Sequence, residues 1–112
     1  MNLSRIESPL GIRTLVLDDH SEVTVIFGVP QPLSENETEF FCPYQILGLG
    51  TDSIRYAIGM DALQAIEYTM QHVGINLYTS EEARSGRLSW QYGRKKGDLG
   101  FPVTPGQEDL LP

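Results

Sequence analysis

The side chains best suited to chemistry lie in three short stretches of this sequence: a turn, a strand and a basic segment. The turn holds Asp18, Asp19 and His20, and the strand holds the single cysteine, Cys42. Adjacent residues of a turn point in different directions, so the first group predicts a hydrated turn. No histidine lies near Cys42 in the sequence, which favours a buried structural thiol over a nucleophile.

Metal-binding and cofactor-binding patterns are also weak. His20, His72 and Cys42 are the only soft ligands, too few for a structural zinc site. Gly48 and Gly50 form a G-x-G, but this pair precedes a predicted strand, whereas a dinucleotide-binding loop precedes a helix. The sequence therefore predicts no catalytic residues, no metal and no cofactor, and a protein that is not an enzyme.

The third stretch is basic within an acidic chain. The net charge is -7, yet residues 84–96 contain only cations among their charged side chains. One interpretation is a solvated loop that neutralises acidic neighbours, and the other is a contact site for an anionic ligand or partner. In the second interpretation Arg87, Arg94 and Lys95 hold a carboxylate or phosphate in a pocket beside Trp90.

Length and composition predict one globular domain. The chain has 112 residues, of which 40% are hydrophobic and 21% charged, enough to bury a core without disulfides. An acidic chain repels phosphates, which argues against nucleic-acid binding, and no apolar run is long enough to cross a membrane. The single cysteine and the absence of an apolar leader predict a reducing cytoplasm.

Four segments in the first sixty residues alternate as strands do: 12–17, 22–29, 39–47 and 53–60. Pro43 cannot donate to a hydrogen-bonded ladder, so the third segment is predicted to lie at an edge or to carry a bulge there. The short connections predict an antiparallel meander.

A helix is predicted from Asp61, which can act as N-cap in a capping box with Gln64. One stripe of this helix is predicted to face the core, and Gly74 at its margin to let a backbone come close. The stripe consists of Leu63, Ile66, Met70, Val73 and Leu77.

The other side of the same helix is apolar as well, with Ala65, Tyr68, His72 and Ile75. These residues are either scattered surface hydrophobes or a contact surface for a second copy or another segment. We predict the contact surface, and hence a homo-oligomer, most simply a dimer.

Beyond the helix, Leu88, Trp90 and Tyr92 predict a short extended segment, and the apolar side chains of 99–103 an anchor that returns to the core. The predicted fold is α+β: a four-stranded antiparallel meander sheet, one amphipathic helix packed on one face and a short C-terminal extended segment. The domain is predicted to span 1–103, and 104–112 to form a flexible tail.

The pieces CPYQILG, RYAIGMDALQAIEYTMQHVGINL, LSW and DLGFP, spread over roughly residues 10–102, resemble a family of small bacterial proteins of unknown function. In that family a cysteine-bearing strand precedes an R-x-A-x-G-x-D-x-x-Q-A helix start. The resemblance implies a compact α+β domain and a prokaryotic origin, and it brings no known activity or functional residues.

Two functions of different classes fit these observations. The first is a small acidic interaction protein, a homo-oligomer that binds another protein, which the low isoelectric point and the two apolar helix faces favour. The alternative is a protein that binds a small anion or metabolite, or an unassigned enzyme, through the basic segment 84–96. The interaction protein is our preferred hypothesis.

Overall fold

One antiparallel sheet and one long helix form the fold in the computed structural model, which describes residue 6, residues 8–35 and residues 38–103. The predicted tail, 104–112, lies outside the described residues. In chain order the elements are β1 (Pro9–Leu17), β2 (Glu22–Gly28), β3 (Gln31–Pro32), β4 (Phe40–Leu47), β5 (Arg55–Gly59), α1 (Ala62–Tyr78), α2 (Glu81–Arg84) and β6 (Leu88–Ser89).

The four long strands lie in the order β1, β2, β4, β5, and each pairs antiparallel with the next, so the predicted meander is confirmed. The predicted count of four strands is wrong. Two strands of two residues each extend the sheet: β3 pairs with the start of β4, and β6 pairs with the end of β1. Such short strands lie below the length at which alternation is visible in a sequence.

Pro43 lies in the middle of β4, which is paired on both sides and is not an edge strand. The predicted bulge is not found there either, because the ladder between β4 and β5 runs from Phe40 to Tyr44 without a register shift. On the other side of β4, the ladder with β2 ends at Tyr44 and the ladder with β3 begins at Phe41, so Pro43 lies in the gap between the two. The missing N–H of proline therefore falls where the ladder is already interrupted.

The two faces of the sheet are covered differently. The inner face, which carries Leu15, Val25, Tyr44 and Ala57, packs against α1 and the C-terminal segment and holds the core. The outer face carries Ile12, Ile26, Gln45 and Tyr56, as the strand alternation requires. Only the centre of the outer face is covered, so its two sides remain exposed.

Gln45 holds the cover at the centre of the outer face. Its side chain is almost fully buried, where Oε1 accepts a hydrogen bond from the backbone N–H of Ile6 at 3.3 Å and Nε2 donates to the carbonyl of Asp52 at 2.6 Å. A buried amide must be satisfied in this way to avoid a desolvation cost of about 1–3 kcal/mol. One glutamine thus ties both the N-terminal segment and the 48–54 loop to the sheet.

The start of α1 follows the prediction. Asp61 has an extended backbone, and its carboxylate accepts a hydrogen bond from the N–H of Gln64, whose side chain in turn accepts from the N–H of Met60. Among the described residues, no helix combines the length and apolar character that crossing a bilayer requires.

The buried stripe of α1 is rotated from the predicted one. Val73 and Leu77 are buried as predicted, but Leu63 is 77% exposed and Ala65 is fully buried. Small residues cause the rotation, because α1 lies so close to β5 that a Cβ on Gly59 would collide with the backbone at Ala65. Further along the helix, the Thr69 hydroxyl donates to the Ala65 carbonyl at 2.8 Å. The carbonyl oxygen of Cys42 on β4 lies 3.4 Å from the same hydroxyl. The predicted stripe weighted large apolar residues and missed this close contact.

Gly74 lets a backbone come close, as predicted. A Cβ built at this position would lie well inside van der Waals contact of the carbonyl oxygen of Pro102. The helix therefore packs directly on the C-terminal segment, and residues 101–103 run along its flank.

We predict that Gly74→Ala destabilises the protein by about 1–3 kcal/mol through this overpacking. Alanine normally favours a helix by up to about 1 kcal/mol over glycine, so the expected sign is opposite to that of an open helical site. Urea unfolding followed by circular dichroism measures the change. Gly11→Ala is the control, since nothing lies within 4 Å of that Cβ position, and a Gly74→Ala variant as stable as the native chain would contradict the packing.

Candidate functional site

The C-terminal segment closes the inner face through the hydroxyl of Tyr78, at the end of α1. This hydroxyl accepts a hydrogen bond from the N–H of Leu99 at 3.0 Å and donates to the carbonyl of Phe101 at 3.3 Å, and all three residues are buried. The ring of Phe101 stacks on Phe27 of β2 with centroids 6.2 Å apart. The predicted anchor of the chain end is thus confirmed for Leu99 and Phe101.

Arg13 of β1 holds the same segment from the other end. Its guanidinium lies 4.1 Å from the ring centroid of Trp90 and 4.6 Å from that of Phe101, and Nη1 donates to the carbonyl of Gly100 at 2.8 Å. A cation between two aromatic rings is stabilised by both ring faces. A Cβ at Gly100 would collide with Trp90 and Arg13, so this position requires glycine.

Asp98 organises the basic loop, residues 93–98. Its carboxylate accepts hydrogen bonds from the backbone N–H groups of Arg94 at 2.9 Å and Gly100 at 2.8 Å. These two donors, that of Arg94 first, hold the pKa of Asp98 below its usual value. Because Asp98 N also donates to the carbonyl of Lys95 at 3.0 Å, the loop is a tight turn, and its three cationic residues are exposed.

An open cleft of about 510 Å³ lies between the basic loop and the end of α1. One wall is cationic and the other is apolar, and Asp98 lies at the base of the loop. The cationic wall consists of Arg94, Lys95 and Lys96, and the apolar wall of Tyr78, Phe101, Pro102 and Val103.

The structure brings together three of the four predicted ligand-binding residues. Arg94 and Lys95 line the cleft, and Trp90 lines two smaller adjoining clefts, one with Lys95 and the other with Arg94. Arg87 is held elsewhere: its guanidinium pairs with Glu81 and donates to the Ser85 hydroxyl. It is therefore engaged at the end of α2 and does not line the cleft.

A second candidate surface lies on β5. Tyr56 and Ile58 project from the outer face and are 59% and 43% exposed, and Met60 directly after the strand is exposed too. On β4 beside them, Phe41 contacts the Tyr56 ring edge-to-face with centroids 5.6 Å apart, and Pro43 pairs with Tyr56. Among the described residues β5 pairs with β4 alone, so it is an edge strand with an apolar outer face.

The predicted contact residues of the helix are divided by the structure. Ala65 is fully buried against β5 and cannot reach a second copy, which corrects the prediction for that residue. Tyr68 and His72 are exposed and Ile75 is partly exposed. The ring of His72 is 6.4 Å from that of Tyr44 on β4. At 100° per residue His72 lies about 20° from Ala65, which packs against Gly59 of β5, so it lies toward the β5 side of the helix.

Neither the cysteine nor the acidic turn forms a reactive cluster. Cys42 is buried and its Sγ lies 3.5 Å from the carbonyl of Gly28, and burial raises the pKa of its thiol. The carboxylate of Asp19 accepts hydrogen bonds from the N–H and the hydroxyl of Ser21 within the same exposed turn. Among residue 6, residues 8–35 and residues 38–103, no group of three histidine, cysteine, aspartate or glutamate side chains is placed to hold a metal ion.

Two sets of residues were missed by sequence reasoning. No role was predicted for Arg13, because nothing in its neighbourhood in sequence indicates Trp90 or Gly100, which lie more than seventy positions away. Tyr56 and Ile58 lie in the predicted strand 53–60, but neither was assigned to a contact surface. The small residues that alternate with them, Ala57 and Gly59, are the signal that could have identified the helix-packed face.

Comparison with protein families gives a match over residues 11–103 to the family described as Domain of unknown function (DUF6968). The chain belongs to this family. The match confirms the resemblance to a family of unknown function, while the individual motifs and a prokaryotic origin stay predictions. The family region begins within β1 and ends at the apolar wall of the cleft, so it contains both candidate surfaces. Comparison with curated proteins and with solved structures gave no match.

We predict that Tyr78→Phe lowers the free energy of unfolding by about 1–3 kcal/mol, since the buried N–H of Leu99 loses its acceptor. The ring itself is retained, so the loss isolates the hydroxyl. Tyr92→Phe is the matched control because Tyr92 is largely exposed and its hydroxyl makes no hydrogen bond to the described residues. Urea unfolding compares the two variants, and equal stabilities would contradict the role given to Tyr78.

Proposed function

We propose that this chain is a non-enzymatic interaction protein that works as a homodimer, joined through the edge of β5 and the adjoining flank of α1. The observation that carries the proposal is the edge strand β5 with its exposed outer residues Tyr56 and Ile58. The contact includes part of the helix surface predicted from the sequence, Tyr68, His72 and Ile75.

The edge of β5 lacks the usual protection against pairing. Natural edge strands are commonly interrupted by proline or a bulge, or carry a charged side chain that discourages a second strand. β5 has neither proline nor bulge, and its one charged residue, Arg55, belongs to the inner face, where it lies over the ring of Tyr44. The two residues of β5 on the outer face, Tyr56 and Ile58, are apolar, which favours an apolar partner.

β5 is also complementary to itself. In an antiparallel pairing centred on Ala57, Tyr56 lies opposite Ile58 of the second copy, and the same pair recurs by symmetry. Aromatic residues opposite β-branched residues are among the favourable cross-strand pairs, each worth about 0.2–1 kcal/mol. This symmetry is why we assign the surface to a second copy and not to a different protein.

The helix position is compatible with this pairing. α1 packs on both β4 and β5. Neighbouring strands lie about 4.8 Å apart, so two helices placed in this way lie about 10 Å apart across the dimer axis. Helices that pack through their side chains lie about 8–10 Å apart. The two α1 helices therefore meet beside the extended sheet.

The flank of α1 that faces the second copy is the open one. Gly74 and Tyr78 are covered by residues 101–102 on the opposite flank. At 100° per residue, Tyr68 and His72 lie about 120° and 160° from Gly74 around the helix. His72 is thus available beside β5, and the partly exposed Ile75 lies with Tyr68 on the adjoining outward face of the helix.

The net negative charge of the chain favours a contact that is confined to this mostly apolar region. Two copies that each carry a net charge of -7 repel one another, and an uncharged interface keeps the acidic side chains apart. In the same register Arg55 lies opposite Gly59 of the second copy, near the start of its α1. The neighbouring Asp61 of the second copy then provides a carboxylate of opposite charge.

We predict that Ile58→Lys converts the dimer to a monomer, with the dimer Kd raised at least about tenfold, because two lysines would face each other's apolar residues. Sedimentation velocity at high micromolar concentration measures the change, and circular dichroism checks the fold. The matched control is Ile12→Lys on β1, which lies on the same outer face and is 54% exposed. A monomeric native chain, or equal loss of dimer in both variants, would contradict the proposal.

The register has its own test by disulfide formation between copies. Tyr56→Cys and Ile58→Cys chains that are mixed under oxidising conditions should form a linked heterodimer, since these positions lie opposite each other. Each variant alone should link poorly, because two copies of one position lie on a diagonal. Efficient linkage of each variant with itself would contradict the register centred on Ala57.

A further inference from the structure

We infer that the cleft between the basic loop and the end of α1 binds a small phosphate monoester with an aromatic or apolar body. This inference goes beyond the proposed dimer and is independent of it. The cleft lies on the flank of α1 that carries Tyr78, whereas the proposed contact lies on the flank beside β5.

Among the described residues, two of the three cations at the cleft have no partner of opposite charge. Arg94 interacts with Asp98 at 3.5 Å, but Lys95 and Lys96 make no ion pair with any residue that the structure describes. The described residues that line the cleft, with three cations and one carboxylate, carry a charge of +2 in a chain whose net charge is -7. A phosphate monoester carries about two negative charges near neutral pH and matches this local charge.

The opposite wall is apolar and ordered, although only a small part of Tyr78 and Phe101 is exposed. Tyr78 is fixed by its two hydrogen bonds, and Phe101 by its stacking on Phe27. Pro102 and Val103 extend the same wall. A surface that is already ordered costs little conformational entropy on binding, which favours a ligand with a flat apolar group.

The size of the cleft and the charge of the chain exclude large polyanions. A volume of about 510 Å³ lies within the roughly 300–1,000 Å³ typical of small-molecule sites. A nucleic acid would bring many phosphates against the acidic remainder of the chain, which repels them. A compact ligand meets the basic loop alone.

Asp98 fixes the conformation of the loop, and its negative charge repels an anionic ligand only weakly. Its carboxylate is turned toward the N–H groups of Arg94 and Gly100, so its negative charge is already compensated by two donors. The same bonds keep the backbone of the loop fixed. Lys95 and Lys96 can therefore change conformation to reach a ligand without loss of the turn.

The experiment is an amide NMR titration of the full chain with phenyl phosphate, with inorganic phosphate and phenol as the two partial probes. We expect saturable shifts confined to residues 78 and 94–103. Inorganic phosphate and phenol should each bind at least about tenfold more weakly, since each lacks one of the two groups that the cleft contacts. Phenol binding as tightly as phenyl phosphate would overturn the role of the lysines.

The variants test the same assignment. The double variant Lys95→Gln with Lys96→Gln should raise the Kd for phenyl phosphate at least about tenfold, and both residues are exposed, so the fold should be retained. Arg84→Gln is the matched control, an exposed cation of the same basic segment on α2 outside the cleft.

Equal weakening by Arg84→Gln would mean that only the general charge of the segment matters and would overturn the inference. So would an unchanged Kd in the double lysine variant, or the absence of saturable shifts. Ile58→Lys should bind phenyl phosphate as the native chain does, which separates this outcome from that of the proposed dimer.

Discussion

The hydroxyl of Tyr78 connects the last turn of α1 to the backbone of the C-terminal segment, and most of the architecture depends on this connection. The hydroxyl accepts a hydrogen bond from the N–H of Leu99 and donates one to the carbonyl of Phe101, and the side chains of both residues lie in the core. On the other side the guanidinium of Arg13 lies between Trp90 and Phe101. These contacts help to close the inner face over β1 and β2, because α1 packs mainly on β4 and β5.

The same connection determines which surfaces remain free. One flank of α1 is occupied by residues 101–102, whose approach requires Gly74. The basic loop directly precedes the C-terminal segment in the chain. The cleft forms between this loop, the segment and the end of the helix. The other flank and the edge of β5 stay uncovered by the described residues. The two proposals therefore use different sides of one helix and depend on one anchoring interaction.

The sequence predicted local structure well where one local pattern determines it. The N-cap at Asp61, the close approach at Gly74 and the order of the four long strands are confirmed because each depends on capping, steric space or alternation. The rotation of α1 was missed since Leu63 looked like a core residue, while small residues such as Ala65 decide how close the helix comes.

The candidate sites were predicted only in part. Clustered cations are visible in a sequence, so Arg94 and Lys95 were identified and lie at the cleft. The partner of Arg87 could not be chosen from the sequence, because Glu81 is one of several nearby acids. Arg13 was missed, since its contacts with Trp90 and Gly100 arise only after the chain has returned to β1.

Hydrogen exchange at the backbone N–H of Leu99 tests the anchoring interaction most directly. If Tyr78 holds the segment as described, this N–H exchanges as slowly as that of Val25, which lies in a strand paired on both sides, because both are released only by global unfolding. The N–H of Lys96 in the exposed loop should exchange much faster. Exchange at Leu99 as fast as at Lys96 would show that the segment detaches from the native fold and would contradict the account.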